Sequence, residues 1–420
     1  MNISRTMTAA VALLLALTAK LALANSFSPT TIAAWVQYTA SGVEVRAVVT
    51  ADCPSIEVDG RSQPMSLRVG ATSDHPNLVC VTPLPEGVKN VVLEGQELPV
   101  PKKKPRRVVV VGDTGCRLSD GHGLYQECNN DAIWPFRYVA ESVAEYKPDI
   151  IIYTGDYIYR EADCPEGNNG CIGSPSGDTQ ATWEADWFNP AHPMHLAAPM
   201  VIVRGNHETC ARAGHGWFRY MDAYNYTDTC ADNTPPWTLE MGKVSIGVMD
   251  TARVDVGDDP SVDLVALFAQ QLETLAGELG KNAWIATHRP FWGFGADDDS
   301  GELTKPTETL QKAAARVGLP EGTNLIVAAH IHLAEVIGFD GDRPPQLVVA
   351  NGGTQMVPRV DPPADIDGMN IKEEMVLYQY GFVSMEPRDN MKKWRTSFRD
   401  IEGRELERCQ LKPRAVKCDR

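Results

Sequence analysis

Five short polar signatures between residues 112 and 332 carry side chains that could hold metal ions. They are Gly-Asp-Thr-Gly at 112–115, Gly-Asp-Tyr-Ile-Tyr at 155–159, Gly-Asn-His-Glu at 205–208, Thr-His-Arg-Pro at 287–290 and His-Ile-His at 330–332. Asp113 and Asp156 offer hard oxygen donors, and His288, His330 and His332 offer borderline nitrogen donors, a mixture that suits iron, zinc or manganese. A carboxylate such as Asp156 can bridge two ions at the roughly 3.5–4 Å separation of paired-metal hydrolases. On an extended segment His330 and His332 would point the same way, roughly 6.5–7 Å apart, so each could serve a different ion.

Each signature follows a short apolar run: Arg107–Val111, Asp149–Tyr153, Met200–Val203, Asn282–Ala286 and Asn324–Ala329. Such runs, apolar on both faces, read as central strands of a covered sheet. Side chains just beyond the carboxyl ends of these strands converge on one crevice, which is how five distant segments could build one donor cluster. Helical stretches at Ile133–Tyr146 and Leu264–Leu279 alternate with the strands, so the expected architecture from Val108 onward is a layered α/β fold. Val244–Met249 followed by Asp250 has the same grammar, and Asp250 reads as structural.

At 420 residues, two domains are expected. Residues 26–100 hold short alternating segments, Ile32–Tyr38, Val43–Val49, Met65–Val69, Leu78–Val81 and Val88–Leu93, which suggest a small antiparallel β-sandwich of immunoglobulin-like size. The Pro-bounded basic stretch 101–107 reads as a solvated linker and 108–405 as the α/β domain. Residues 161–180, rich in Gly, Asn, Pro and Ser, read as a cystine-closed loop at the mouth of the site. Val376–Met385 and Trp394–Phe398 read as a closing hairpin around the polar turn 387–390, before a disulfide-closed tail at 406–420.

Residues 1–24 read as an export signal. Arg5 supplies the charge, Thr8–Ala19 the apolar stretch and Ala22-Leu23-Ala24 the cleavage site before Asn25. A secreted or periplasmic protein with no membrane attachment after cleavage is expected. The ten cysteines suit an oxidising compartment, and the simplest pairing is local: Cys53 with Cys80, Cys116 with Cys128, Cys164 with Cys171, Cys210 with Cys230, Cys409 with Cys418. The net charge of −16 argues against a nucleic-acid partner or adhesion to an anionic membrane. It does not oppose an anionic substrate, because bound cations dominate their local field.

Taken together, the signatures resemble the calcineurin-like metallophosphoesterases, and within them the purple acid phosphatases, over about residues 106–405. The resemblance implies a metallophosphoesterase β-sandwich flanked by helices, preceded by a small all-β domain of immunoglobulin or fibronectin type. It implies Asp113, Tyr159 and His332 on Fe(III), Asn206, His288 and His330 on a divalent ion (Fe, Zn or Mn), and Asp156 bridging both. Gly115 stands where many members of the superfamily carry a histidine, and Tyr159 is available instead. Ala329 stands where the family usually has glycine. A phenol becomes a phenolate ligand at neutral pH only beside a strongly acidic cation, for which Fe(III) is the natural choice.

The function this implies is a phosphatase that hydrolyses phosphomonoester small molecules by attack of a metal-bound hydroxide, with His207 protonating the leaving group or bonding the phosphate. Glu208 could orient His207 or simply start a helix, and His215 could touch substrate. The Asp297–Asp299 run reads as a solvated loop. A phosphodiesterase or nucleotidase would share the same metal core. A non-catalytic extracellular binding protein with a structural metal site is the alternative from another class.

Overall fold

The computed structural model describes residues 27–419 apart from 29, 122, 255–259, 298–299 and 305–307. The export signal expected at 1–24, and Asp298 and Asp299, lie outside the described residues.

Two sheets form the middle of the molecule. In the first, the parallel strands Val108–Val111, Ile150–Tyr153 and Met200–Ile202 lie side by side. In the second, Val244–Val248, Ala283–Ala286, Thr323–Ala328 and Gln346–Val349 form the parallel core. The two-residue period of a strand then divides the apolar side chains between two layers. Val108, Val110, Ile150 and Ile152 face the second sheet, meeting Trp284, Ala286, Val327 and Leu347 in one buried cluster. Val109, Val111, Ile151 and Tyr153 face outward onto Phe136, Val139, Val143 and Trp187. On the far side, Ile285 and Ile326 pack against Phe268, Leu272, Leu275 and Leu310. These last residues come from the helices Val262–Glu278 and Glu308–Val317. The result is a four-layer sandwich, two sheets between helices, as the doubly apolar strands require.

The N-terminal strands make a small antiparallel unit around Ala34, Val36, Val45, Ala47, Ile56, Val91 and Leu93. Its first strand, Thr31–Thr39, continues the first sheet by pairing in parallel with Met200–Ile202 through Gln37 and Met200. Among the described residues that sheet thus runs to eleven strands. The basic stretch 101–107 is pinned rather than free: Lys102 Nζ and the Arg106 and Arg107 amides all donate to Asp149.

One expected strand is divided. Val376–Met385 does not run as a unit, because Met369–Leu377 belongs to the second sheet and Gly381–Arg388 to the first. The chain crosses at Tyr378–Tyr380, where Asn351 Nδ2 donates to Gln379 O at 2.7 Å. Gly381 then lies so close to Arg399 O that a Cβ would sit 1.8 Å from it. The closing hairpin forms between Gly381–Arg388 and Lys393–Asp400. All five local disulfides are present with the expected partners. No helix among the described residues is long and apolar enough to cross a membrane.

Candidate metal centre

The signatures meet where the parallel strands of both sheets end. Asp113 and Asp156 follow Val108–Val111 and Ile150–Tyr153, and both are fully buried. Their backbones are left-handed, with φ of 53° and 59°, and so are those of His330 and His332, at 79° and 42°. This region costs a non-glycine residue energy, and such strain gathers at functional sites. His330 and His332 therefore do not lie on the extended segment that their spacing suggested. The sharp turn sends them to separate groups. Donor atoms of Asp156, His288 and His330 lie within 4.8 Å of one another, as do those of Asp113, Asp156 and His332. Asp156 belongs to both groups. Ala329, where the resemblance has glycine, is not among the left-handed positions, so its Cβ fits.

Tyr159 joins the second group. Its hydroxyl oxygen lies 2.6 Å from Asp156 Oδ2, 2.9 Å from Asp113 Oδ1 and 2.8 Å from His332 Nε2. One phenol has one proton and cannot satisfy both carboxylates, whereas a cation among these four groups could. On the other side, Asn206 Oδ1 and Asp156 Oδ2 lie 2.9 and 3.1 Å from His288 Nε2. Thr154 O lies 2.9 Å from His288 Nδ1, the kind of outer contact that would fix the ring's orientation if Nε2 held an ion.

The electrostatics without ions are poor. Burial, and then the Asp156 charge, push the Asp113 carboxyl up to about 8. Burial, with Asp113 and Asp156 added, pushes the Tyr159 phenol well above its usual range. For Asp156 burial acts upward too, but His288 and His207 outweigh it and hold the carboxyl well below its usual range. His288 is correspondingly raised to about 9, Asp156 overcoming burial. Two buried carboxylates and a phenol with so few cations are the donor set that a pair of metal ions completes.

Close approach explains two of the glycines. A Cβ on Gly205 would lie 2.0 Å from Asp156 Oδ1. One on Gly115 would lie 2.7 Å from Tyr157 O and from Tyr159 N, so the backbone that presents Tyr159 occupies the space a side chain at 115 would need. Asp186 fixes that backbone, accepting from Tyr159 N at 3.0 Å, Cys116 N at 3.2 Å and Arg160 Nε at 2.5 Å.

His207 lies beside the cluster, its Nε2 4.0 Å from Asp156 Oδ2. Glu208 does not touch it. Glu208 instead accepts from the amides of Asp156, Tyr157, Ile158 and Gly205, organising the turn, since four backbone donors outcompete one imidazole. The carboxylate at His207 is Glu161, with Oε1 2.8 Å from Nδ1 and 3.1 Å from Arg212 Nε. Burial lowers His207, partly offset by Asp156 and Glu161. Sequence reasoning passed over Glu161, although it stands two residues after Tyr159, the spacing that puts side chains on one side of an extended segment. It also passed over Arg289, next to His288, whose Nη1 donates to His330 Nε2 at 2.9 Å. Burial lowers Arg289 to about 10, which leaves it charged at neutral pH.

Other residues fall outside the cluster. His215 is exposed at the start of the helix Gly214–Tyr220. Asp250 is structural as expected, accepting from Arg204 Nη1 at 3.1 Å and Thr234 N at 2.8 Å. Asp297 accepts from Ser300 N at 2.9 Å in an exposed turn.

This fold and this donor set are those of a metallophosphoesterase. The chain belongs to the calcineurin-like phosphoesterase family, whose sequence model matches residues 106–334. Among solved structures it is similar to the purple acid phosphatase PPD1 from seeds of yellow lupin (Lupinus luteus). The TM-score is 0.59 at 13% identity, over 90% of this chain and 74% of that one. It is also similar to GAP50, the anchor in the inner membrane complex of Plasmodium, with TM-score 0.44 at 14% identity, over 74% of this chain and 90% of that one. No curated protein matches the chain. The overall fold, a metallophosphoesterase sandwich with a small N-terminal antiparallel β unit, is that of the purple acid phosphatases.

Proposed function

We propose that this protein is an exported phosphatase acting on small phosphomonoesters, with Fe(III) held by Asp113, Tyr159 and His332, a divalent Fe, Zn or Mn ion held by Asn206, His288 and His330, and Asp156 shared between them. The observation that carries it is the convergence of the Tyr159 hydroxyl with Asp113, Asp156 and His332 at 2.6–2.9 Å. When bound, the two ions supply an activated water nucleophile and offset charge on the phosphoryl oxygens.

The chain's own groups do the rest. Glu161 Oε1 lies 2.8 Å from His207 Nδ1, an ion pair when the ring is protonated, and Nε2 is presented to the side of Asp156. Against burial, the Asp156 and Glu161 charges favour the imidazolium form of His207, and it is this form that gives its Nε2 proton to the departing oxygen of the ester. Glu208 and Asp186 hold the turns that carry Asp156 and Tyr159, so the donors are set before substrate arrives. His215, on the exposed helix start beyond the His207 turn, contacts the part of the ester that lies outside the pocket.

The test is turnover of p-nitrophenyl phosphate against bis-p-nitrophenyl phosphate by iron- and zinc-loaded protein. Preferential monoester hydrolysis is expected. Hydrolysis of the diester alone would refute the monoesterase reading, and hydrolysis of neither would refute the enzyme reading.

A further inference from the structure

Arg289 follows His288 directly, and the roles above leave its side chain unused. It is 8% exposed. Its guanidinium makes no ion pair among the described residues, and Nε has no acceptor. Its one side-chain bond among the described residues runs from Nη1 to His330 Nε2, 2.9 Å away. Arg212, the neighbouring cation, is already paired with Glu161. A buried guanidinium with so few acceptors is costly to keep unless something else uses its donors.

The bond to His330 and an ion on His330 exclude each other. An imidazole nitrogen accepts an N–H only through its free lone pair. If the ion takes Nε2, that lone pair is occupied. If the ion takes Nδ1, the neutral ring carries its proton on Nε2, which then faces the guanidinium donor to donor. In either case Nη1 is released, beside an Nε that already lacks an acceptor.

We propose that Arg289 grips the phosphoryl oxygens of the substrate, freed for that task when His330 takes up its ion. The proposal deepens the phosphatase reading and rests on it. The planar fork of guanidinium donors matches two oxygens of one phosphate, which a point charge cannot do as well. Enclosed from water, it acts strongly on oxygens that carry charge. A monoester dianion has more charge and one more free oxygen than a diester monoanion, so this cation favours monoesters.

The test titrates inorganic phosphate into iron- and zinc-loaded wild-type, Arg289→Gln and Arg289→Lys proteins, with metal analysis and thermal melting alongside. Arg289→Gln should keep both ions and weaken phosphate binding on the order of ten- to hundredfold. Arg289→Lys should recover part of the loss. Before loading, the divalent-ion affinity of Arg289→Gln should equal or exceed that of wild type, because a competing contact is gone. The KM for p-nitrophenyl phosphate should rise more than that for bis-p-nitrophenyl phosphate. Unchanged phosphate affinity in a folded, fully loaded variant overturns the proposal, as does metal loss in proportion to phosphate loss. If Arg289→Gln does not fold, Arg289→Lys decides on the same readings. A wild-type protein that binds phosphate but hydrolyses neither ester overturns the phosphatase reading alone, and the phosphate titration still judges Arg289.

Discussion

The imidazole of His207 lies over the ring of Tyr159, with centroids 3.7 Å apart and planes tilted by 33°. Tyr159 is therefore a platform for His207 as well as an oxygen donor, and the two roles can be separated by substitution. Iron-loaded wild-type protein should be pink to purple from phenolate-to-iron charge transfer. Tyr159→Phe should lose the colour and keep the platform and some hydrolysis. Tyr159→Ala should lose the colour and lower kcat further. Visible spectra and kcat for the three proteins check this; colour persisting in Tyr159→Phe would remove the phenolate from the centre.

His207→Ala should keep both metal ions and lower kcat on the order of a hundredfold for alkyl esters, and less for esters with acidic phenol leaving groups. Glu161→Gln should reproduce that leaving-group pattern with a smaller loss, on the order of tenfold, because it removes only the orienting carboxylate. A loss equal across all leaving groups would show that neither residue serves proton transfer.

Asp156 belongs to both donor groups, whereas His288 belongs to one. Asp156→Ala should therefore empty both sites, and His288→Ala or Asn206→Ala chiefly one. Metal-to-protein ratios measured after gel filtration decide it; two ions retained in Asp156→Ala would rule out the shared carboxylate.

His195 predicts an acid limb in stability. It is fully buried between Trp35 and Trp187, neither ring nitrogen has a hydrogen-bond partner among the described residues, and burial lowers it to about 3. The unfolded chain binds this proton at an ordinary histidine pKa near 6.5, so it holds more protons than the folded one between those values. Stability from this residue is complete above about pH 6.5 and falls by about 1.4 kcal/mol per unit below it, until pH nears 3. His195→Phe, which keeps the aromatic packing, should flatten that limb. Denaturant midpoints between pH 4 and 7 give the comparison; identical slopes in variant and wild type would exclude His195.

The donor set was legible because it follows from covalent order: a polar signature at each strand end, on strands apolar to both sides. The N-terminal antiparallel unit and the five local disulfides were legible for similar reasons, since they depend on neighbours in sequence. What escaped depends on distance in space. The direct pairing of Gln37 with Met200 leaves no mark in either segment. Glu161 reads as a loop residue and Glu208 as either the orienter of His207 or a helix-start carboxylate, and only the amides of 156–158 and Gly205 decide for the second kind of role. The division of Val376–Met385 was hidden because Gly381 and Asn351, 30 positions apart in sequence, set the crossing together through the Gly381 amide and Asn351 O.

The eleven-stranded sheet also sets the order in which the molecule can assemble. Its strand at Thr31–Thr39 needs Met200–Ile202, and its strand at Val108–Val111 needs Gly381–Arg388, so both ends of the chain complete one sheet. Non-local pairing of this kind makes folding slow, because loop closure costs entropy before the contacts form. The disulfides do not shorten the search, since the widest of them joins residues only 27 apart. Synthesis from the N-terminus therefore lets the first strand pair at once with Gly42–Val49, but leaves its other edge open to pairing with other chains until Met200–Ile202 has emerged.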